Sequence, residues 1–403
     1  MVAVSLTKKR IQSIDILRGL IMVVMALDHV RDFFYKVVLA KPGDAATGPT
    51  DLQTTFPMLF FTRWITHFCA PIFVFLAGCS IYLMCQKKTR KEVSIFLIKR
   101  GCWLVLVEVV IITFAFTFNP FYNLLILQVI WATGISMILL GILVQLPYKI
   151  IFAIGIIIVT GHNLMDFPSV SAVLKGSAIA DFIYFGKFSV HPFIANHFVI
   201  IVYSFLPWTG VMLLGYCFGK LYDKEIDPLW RRKILLRLGS GLLLLFVLLR
   251  LSNVYGDPLV WSVQPRGTVY TVLSFFNVNK YPPSLLFLCI TVGTGILFLA
   301  AIENIQNRFT NVLNIYGRVP MLYYIFHFYF IHILVVIVFY LQGFTSKDIE
   351  TPNVPFLFRP PAFGFNLWGV YALWLFVVII LYPVCKKYNA YKSTHNDWWL
   401  GYL

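Results

Sequence analysis

The sequence predicts an all-α polytopic membrane protein with about ten transmembrane helices and both termini in the cytoplasm. Of its 403 residues, 59% are hydrophobic and only 12% are charged, whereas a soluble domain carries roughly 25% charged residues. The mean hydropathy is +0.80, and apolar runs recur along the whole length. Because no polar stretch is long enough to fold separately, we expect a single transmembrane domain over residues 1–403.

The net charge of +16 does not indicate a nucleic-acid-binding protein. Lysines and arginines lie in short clusters between apolar runs, where they orient a membrane protein and contact anionic lipid headgroups. The seven cysteines are odd in number and include no CxxC pair, which argues against a disulfide scaffold and a zinc site. We therefore expect membrane lipids as partners, and neither nucleic acid nor a metal ion.

Ten apolar runs approach the length of about 20 residues that crosses the hydrocarbon core. They cover residues 14–35, 64–84, 93–116, 124–144, 149–161, 198–221, 234–251, 283–301, 319–341 and 367–385. The run 149–161 is the shortest, and a re-entrant segment is the alternative there. With the N-terminus inside, the Lys- and Arg-rich connections fall on the cytoplasmic side, as the positive-inside rule requires. We expect a multi-pass protein of the inner (plasma) membrane.

The first predicted helix carries titratable residues at membrane depth, where they are costly and indicate a functional site. Asp28 and His29 follow an unbroken apolar run, and Asp32 lies one helical turn after Asp28 on the same face. We favour a catalytic role for His29 with Asp28, because nothing structural requires an imidazole at that depth. For Asp32, substrate binding and a solvated pair with Arg31 remain alternatives.

Arg63 and His67 begin the second predicted helix and share a face at i, i+4 spacing. This helix runs from outside to inside and one loop joins it to the first helix. We therefore predict that Asp28, His29, Arg63 and His67 meet in the outer half of the bilayer. An interfacial anchor is the alternative role for Arg63.

Three further titratable residues lie inside predicted helices. Glu108 has no charged neighbour in its own helix, so we expect it either to be protonated or to meet an Arg or His from another helix. His327 and His332 are five residues apart on the ninth predicted helix and fall on different faces. We expect at most one of them to face the site and the other to be a hydrogen-bonded packing histidine.

Candidate substrate contacts lie near the outer ends of the fourth and sixth predicted helices. Trp131 stands at the start of the fourth helix, Trp208 follows Pro207 in the sixth, and His191 precedes the sixth on the outer side. The sixth helix also carries small residues that allow close helix packing, namely Gly210, Gly215 and Gly219.

Several stretches of the sequence carry a family resemblance. They are SIDILRGLIMVVMALDHVRDFF, TRWITHFCAPIFVFLAGCSIYL, IKRGCWLVLVE, LQVIWATGISMILL, LPWTGVMLLGYCFG, KYPPSLLFL and YGRVPMLYYIFHFYFIHI. Together, over residues 11–336, they resemble the heparan-alpha-glucosaminide N-acetyltransferase family and its bacterial relatives. Arg18 and His29 are separated by ten residues, which is similar to the spacing in the first helix of integral-membrane O-acyltransferases.

This resemblance implies a transmembrane acyltransferase. Acetyl-CoA would be its co-substrate at the cytoplasmic face, and an amino sugar or a sugar hydroxyl on the far side would accept the acyl group. In the lysosomal members, the position matching His29 is Asn, and the catalytic histidine lies in the loop before the second helix. Here the loop 38–62 contains no histidine, so the choice of catalytic base falls on His29 or His67.

Acyl transfer needs a base that works near neutral pH and a donor for the developing oxyanion. We assign the base to His29, oriented by Asp28 or Asp32. Either Arg63 or a neutral His67 would then stabilise the oxyanion.

The phosphates of CoA pair best with arginine and lysine. Arg18, Lys99 and Arg100 are the candidates at the cytoplasmic mouth, and the last two also serve the positive-inside rule. A proton-coupled transporter or exporter that uses the same His, Asp and Glu residues as a relay is the alternative function. The oligomeric state stays open between a monomer and a homodimer.

Overall fold

The computed structural model describes residues 11–36, 48–86, 88–174, 176–194, 196–350 and 356–401, and helices dominate this part of the chain. The first elements are α1 (Gln12–Phe34), α2 (Pro57–Thr66), α3 (Cys69–Cys85), α4 (Arg90–Leu106), a π-helical turn (Val107–Ile112) and α5 (Thr113–Thr117). They are followed by β1 (Leu124–Leu127), α6 (Val129–Leu143), α7 (Tyr148–Gly161), α8 (Pro168–Leu174), α9 (Ala178–Ala180), β2 (Ser189–Ile194) and β3 (His197–Ile201). The last are α10 (Phe205–Phe218), α11 (Pro228–Ser252), α12 (Thr268–Phe276), α13 (Leu285–Ile302), α14 (Arg308–Arg318), α15 (Pro320–Leu341) and α16 (Leu367–Thr394).

Six helices in the described residues are long and apolar enough to cross a membrane. They are Pro57–Cys85, Tyr148–Asp166, Pro228–Ser252, Leu285–Ile302, Pro320–Leu341 and Leu367–Thr394. The second of these contains the shortest predicted run, 149–161, and reaches 19 residues with a mean hydropathy of 1.6. Only 22% of the most apolar window is buried in each of α7, α11 and α16, whereas 78% is buried in α13. The protein is therefore a helical membrane protein with α13 near its centre.

Two predicted helices begin later than expected. Residues 124–127 form β1 and residues 198–201 belong to β3, so that α6 starts at Val129 and α10 at Phe205. The strands form one sheet in the order β1-β3-β2, with β1 parallel and β2 antiparallel to β3. A short apolar run fits a strand as well as a helix. Asn196 adopts a left-handed backbone conformation, with φ 61°, in the turn between β2 and β3.

The second predicted helix is divided in two. α2 ends at Thr66 and α3 begins at Cys69, because Pro71 has no backbone N–H for the carbonyl of His67. α2 also starts earlier than predicted, with Pro57 in the first helical turn, where a proline is well tolerated. Both α2 and α3 pack against α1, which brings the second predicted helix beside the first.

Glycines allow the central helices to approach closely, as predicted for α10. A Cβ atom added to Gly215 would lie 2.1 Å from the carbonyl oxygen of Phe75 on α3. Added Cβ atoms on Gly210 of the same helix and on Gly219, just after its end, would lie 2.7 Å from Ile158 of α7 and 2.6 Å from Tyr82 of α3. A glycine also allows α1 and α14 to pack closely, because a Cβ atom on Gly19 would lie 1.8 Å from the carbonyl oxygen of Leu313.

We expect Gly215→Ala to destabilise the protein, because the added methyl group would overlap the backbone of α3. Overpacking of this kind costs about 1–3 kcal/mol. Gly241→Ala on α11 is the matched control, since no atom lies within 4 Å of its added Cβ and alanine favours a helix by roughly 1 kcal/mol. Thermal unfolding in detergent should give a lower Tm for Gly215→Ala and an equal or higher Tm for Gly241→Ala. Equal melting of both variants would contradict the assigned helix contact.

Candidate active site

Two cavities lie side by side where α1, α2, α3 and the segment 277–284 converge. The inner cavity has a volume of about 40 Å³, and its lining includes Asp28, His29, Thr66, Tyr203, Tyr324 and Lys280. The second cavity, which we call the vestibule, has a volume of about 450 Å³, and its lining includes Asp51, Arg63, His67, Gln264, Asn279 and Lys280. The predicted residues Asp28, His29, Arg63 and His67 therefore do come together, two at each cavity.

The imidazole of His29 is held by a second histidine. Its Nδ1 lies 2.7 Å from Nε2 of His327, whose Nδ1 lies 3.0 Å from the carbonyl oxygen of Tyr323. A carbonyl only accepts hydrogen bonds, so His327 donates from Nδ1 and its neutral ring accepts at Nε2. His29 must then donate from Nδ1. The lone pair of its Nε2 is left free for a proton, which is what a general base requires.

Asp28 does not supply the hydrogen bond that was expected to orient His29. Its carboxylate accepts hydrogen bonds from Arg63 and from Thr66 Oγ1 at 2.8 Å, and it forms an ion pair with Arg31 at 2.9 Å. The reason is geometric, because adjacent residues on a helix point in different directions, and Asp28 faces α2 while His29 faces α15. Asp28 instead neutralises two buried arginines and ties α1 to α2.

The two candidates for oxyanion stabilisation sit on the vestibule side. Arg63 pairs with Asp28 and also lies 3.3 Å from the hydroxyl of Tyr281. His67 is buried, and its ring packs edge-on against Phe287 at 5.5 Å between centroids. In the described residues, its Nδ1 has no hydrogen-bond partner.

The four residues predicted to bind substrate are not in the linings of these cavities. Asp32 pairs with Arg31, and His191 forms an ion pair with Asp181 at 2.8 Å. Trp131 packs against Phe182 at 5.8 Å between ring centroids. Trp208 is fully buried behind Tyr203, with 5.2 Å between ring centroids.

The three candidate CoA contacts lie away from both cavities. Arg18 donates hydrogen bonds to Asp15, to Ser80 and to the carbonyl oxygen of Gly317. Lys99 and Arg100 belong to α4, which packs mainly against α6. Their side chains are not part of either cavity lining.

Glu108 has partners that neither sequence-based alternative included. Its carboxylate accepts hydrogen bonds from the backbone amides of Gln128 at 3.3 Å and Trp131 at 3.0 Å. These amides are at the start of α6, where the first N–H groups of a helix have no partner within it. Glu108 thus caps α6 from the π-helical turn. In the described residues no Arg or His side chain is its partner, so that alternative is wrong, and a protonated Glu108 stays a prediction.

His332 is the packing histidine of the pair on α15. Its Nδ1 bonds the carbonyl oxygen of Ala115 at 2.9 Å, and its ring stacks on Phe118 at 3.7 Å between centroids. His327 faces the site, so the expected division of roles between the two histidines is observed.

Lys280 is the main residue of the site that the sequence analysis missed. It is 6% exposed and lines both cavities. The stretch KYPPSLLFL was recognised only as part of the resemblance, yet a lysine two residues before a pair of prolines, next to an apolar helix, is an unusual place for a charge. In the described residues, no group of three or more His, Cys, Asp or Glu side chains is arranged to hold a metal ion.

Comparison with known families bears on the chemistry of this site. The model of the heparan-alpha-glucosaminide N-acetyltransferase catalytic domain matches residues 10–249, more than half of the chain. The chain belongs to this acetyltransferase family. The match includes Asp28, His29, Arg63 and His67 and ends before Lys280 and His327. A comparison with curated proteins gives no match.

Proposed function

We propose that the protein is a transmembrane acyltransferase that moves an acetyl group from cytoplasmic acetyl-CoA to a sugar amine or hydroxyl on the extracytoplasmic side. The observation that carries this proposal is the free Nε2 lone pair of His29, fixed by the hydrogen bond to His327 at a small cavity beside a polar vestibule. Membership of the acetyltransferase family supports the same chemistry.

In this reaction His29 acts as the general base. Its Nε2 removes the proton from the acceptor amine or hydroxyl while the acceptor attacks the thioester carbonyl carbon. The tetrahedral intermediate then collapses, the carbon–sulfur bond breaks, and the thiolate of CoA takes the proton back from His29. His327 positions the base, because its Nε2 accepts the hydrogen bond from Nδ1 of His29 in both steps.

The two cavities suit the two substrates. The vestibule is large enough for a sugar ring, and side chains such as Asp51, Gln264 and Asn279 can hydrogen-bond its hydroxyl groups. The inner cavity, at about 40 Å³, suits an acetyl group and excludes a long acyl chain. For the phosphates of CoA we retain Arg18, Lys99 and Arg100 as the proposed contacts, since phosphates pair well with such cations.

We further propose ten membrane crossings with both termini in the cytoplasm of an inner-membrane protein. The crossings are α1, α2 with α3, α4 with α5, α6, α7, α10, α11, α13, α15 and α16. This order places the vestibule on the extracytoplasmic side and the basic connections on the cytoplasmic side. Reporter fusions after Lys91 and after Leu403 should both report cytoplasm. An extracytoplasmic signal from the second fusion would contradict the even number of crossings.

Binding of acetyl-CoA to the purified protein tests the proposed function against a proton-coupled transporter. A transporter of unrelated solutes has no reason to bind the thioester, whereas an acetyltransferase must. Calorimetric titration in detergent should show saturable binding of acetyl-CoA. Absence of binding by a folded protein would contradict the proposal and favour the transporter.

A further inference from the structure

A single buried cation joins the two cavities. Lys280 belongs to the lining of the inner cavity and to that of the vestibule, and among the described residues the two linings have no other residue in common. The acceptor and the acetyl group have to meet at this junction if they occupy the two cavities. Any charge that develops during transfer therefore develops beside the ammonium group of Lys280.

The ammonium group of Lys280 has no carboxylate partner. In the part of the chain that the structure describes, it has no hydrogen bond or ion pair. Its contacts are weak cation–π interactions with the rings of Tyr281, at 5.2 Å from Nζ to the centroid, and Tyr203, at 6.0 Å. Burying a cation without a carboxylate partner costs stability. Such a group is a candidate for function, because the fold alone gives no reason to keep it.

Arg63, the other buried cation in the vestibule lining, is already engaged. Its guanidinium forms a salt bridge with Asp28 and contacts the hydroxyl of Tyr281. An arginine that a carboxylate already neutralises attracts a new negative charge less strongly than a lysine without a carboxylate partner does. The geometry therefore favours Lys280 over Arg63 and over the neutral imidazole of His67.

The backbone around Lys280 is held rigidly. The half-buried Asp257 accepts hydrogen bonds at its carboxylate from the amide of Asn279 at 2.9 Å and from the hydroxyl of Ser284 at 2.6 Å. Burial raises the pKa of Asp257 to about 6, and these hydrogen bonds oppose that shift, so the carboxyl is mostly ionised at pH 7.

A second set of contacts holds the same segment from α7 and the turn after it. Nε2 of His162 lies 2.8 Å from the carbonyl oxygen of Pro283, and the side-chain carbonyl of Asn163 accepts a hydrogen bond from the amide of Leu285 at 2.8 Å. These contacts hold the segment that carries Lys280 in place before the reaction. A charge that is held in place in this way stabilises a transition state without reorganisation at the moment of reaction.

We propose that Lys280 is a catalytic residue that stabilises the oxyanion of the acyl-transfer intermediate. This assignment rests on the proposed function. When the acceptor attacks, the carbonyl π electrons move to oxygen, and the ammonium of Lys280 donates a hydrogen bond to that oxyanion. When the carbon–sulfur bond breaks, the carbonyl re-forms and the contact weakens. Lys280 keeps its protons throughout, and the transferred proton moves through His29.

The test compares Lys280→Met and Lys280→Arg with the wild-type protein. Membranes from expressing cells, whose own glycans serve as acceptor, receive acetyl-CoA labelled in the acetyl group. Incorporated label gives the transfer rate per amount of protein. Loss of one oxyanion donor lowers kcat by about 10² to 10³, so we expect at least a hundredfold loss for Lys280→Met. Lys280→Arg should recover part of the rate. Lys347→Met, an exposed position, is the control and should transfer at the wild-type rate.

Stability and binding separate a catalytic from a structural lysine. Lys280→Met removes a buried unpaired charge at similar volume, so its Tm should equal or exceed that of the wild type, and its binding of acetyl-CoA should be unchanged. A near-normal transfer rate for Lys280→Met would overturn the assignment alone. A lower Tm with lost binding, not rescued by Lys280→Arg, would also overturn it. A wild-type protein that incorporates no label would overturn the proposed function and this assignment together.

Discussion

Replacing His29 by alanine should abolish acetyl transfer while leaving a folded protein that binds acetyl-CoA. A general base contributes about 10² to 10⁴ in rate, and His29 has a single free nitrogen at the inner cavity, so we expect a loss of at least a hundredfold. The rate is measured as labelled acetyl transferred to membrane glycans per amount of protein. His327→Ala should lose less, because His29 remains present but is no longer held in one tautomer.

The matched control for this prediction is His332→Phe. This histidine lies on the same helix as His327 but bonds the carbonyl oxygen of Ala115 away from both cavities. Its replacement should lower the Tm without lowering the transfer rate of the folded protein. If His29→Ala retained a near-normal rate, the base would have to be His67, the other predicted imidazole of the site.

Replacing Asp28 by alanine should cause the largest loss of stability. Its carboxylate lies between the buried guanidinium groups of Arg31 and Arg63. Its removal leaves Arg63 without a carboxylate partner and leaves Arg31 with Asp32 alone. Breaking a buried ion pair from one side costs about 3–5 kcal/mol. The expected result is a strongly lowered Tm, or failure to accumulate in the membrane.

Asp32→Asn is the control for this loss. Asp32 also pairs with Arg31, but its side chain is 30% exposed, and ion pairs near solvent are worth about 0–1 kcal/mol. Its Tm should therefore stay close to that of the wild type. Equal Tm values for the Asp28 and Asp32 variants would contradict the idea that Asp28 balances the charge inside the bundle.

The helical membrane fold could be predicted because the length of an apolar run indicates whether it can form a membrane-spanning helix. Composition and run length identified most of the helices, including the one at Tyr148–Gly161 that looked too short. The strands β1 and β3 could not be predicted, since runs such as LLIL and HFVII satisfy helix and strand equally. Their pairing depends on residues far apart in the chain, Leu124 with Phe198 for example, and periodicity carries no information about such contacts.

The residues of the candidate site that could be predicted are titratable residues inside apolar runs of two neighbouring helices. Asp28, His29, Arg63 and His67 met this condition, and they do line the two cavities. Their partners were harder to predict, because they come from distant elements. His327 lies 298 residues after His29, and Lys280 reaches the junction through a loop that Asp257 and His162 hold in place. Trp131 and Trp208 were predicted to bind substrate, but the half-buried ring of Trp131 packs against Phe182 and the ring of Trp208 is fully buried.

The acetyl content of extracytoplasmic glycans tests the central claim most directly. Mass spectrometry would compare cells that lack this protein with cells that produce either the wild type or His29→Ala at equal levels. The account predicts an added acetyl group on an extracytoplasmic glycan only in cells with the wild type. Identical glycans with and without the protein, or acetylation that persists with His29→Ala, would contradict it.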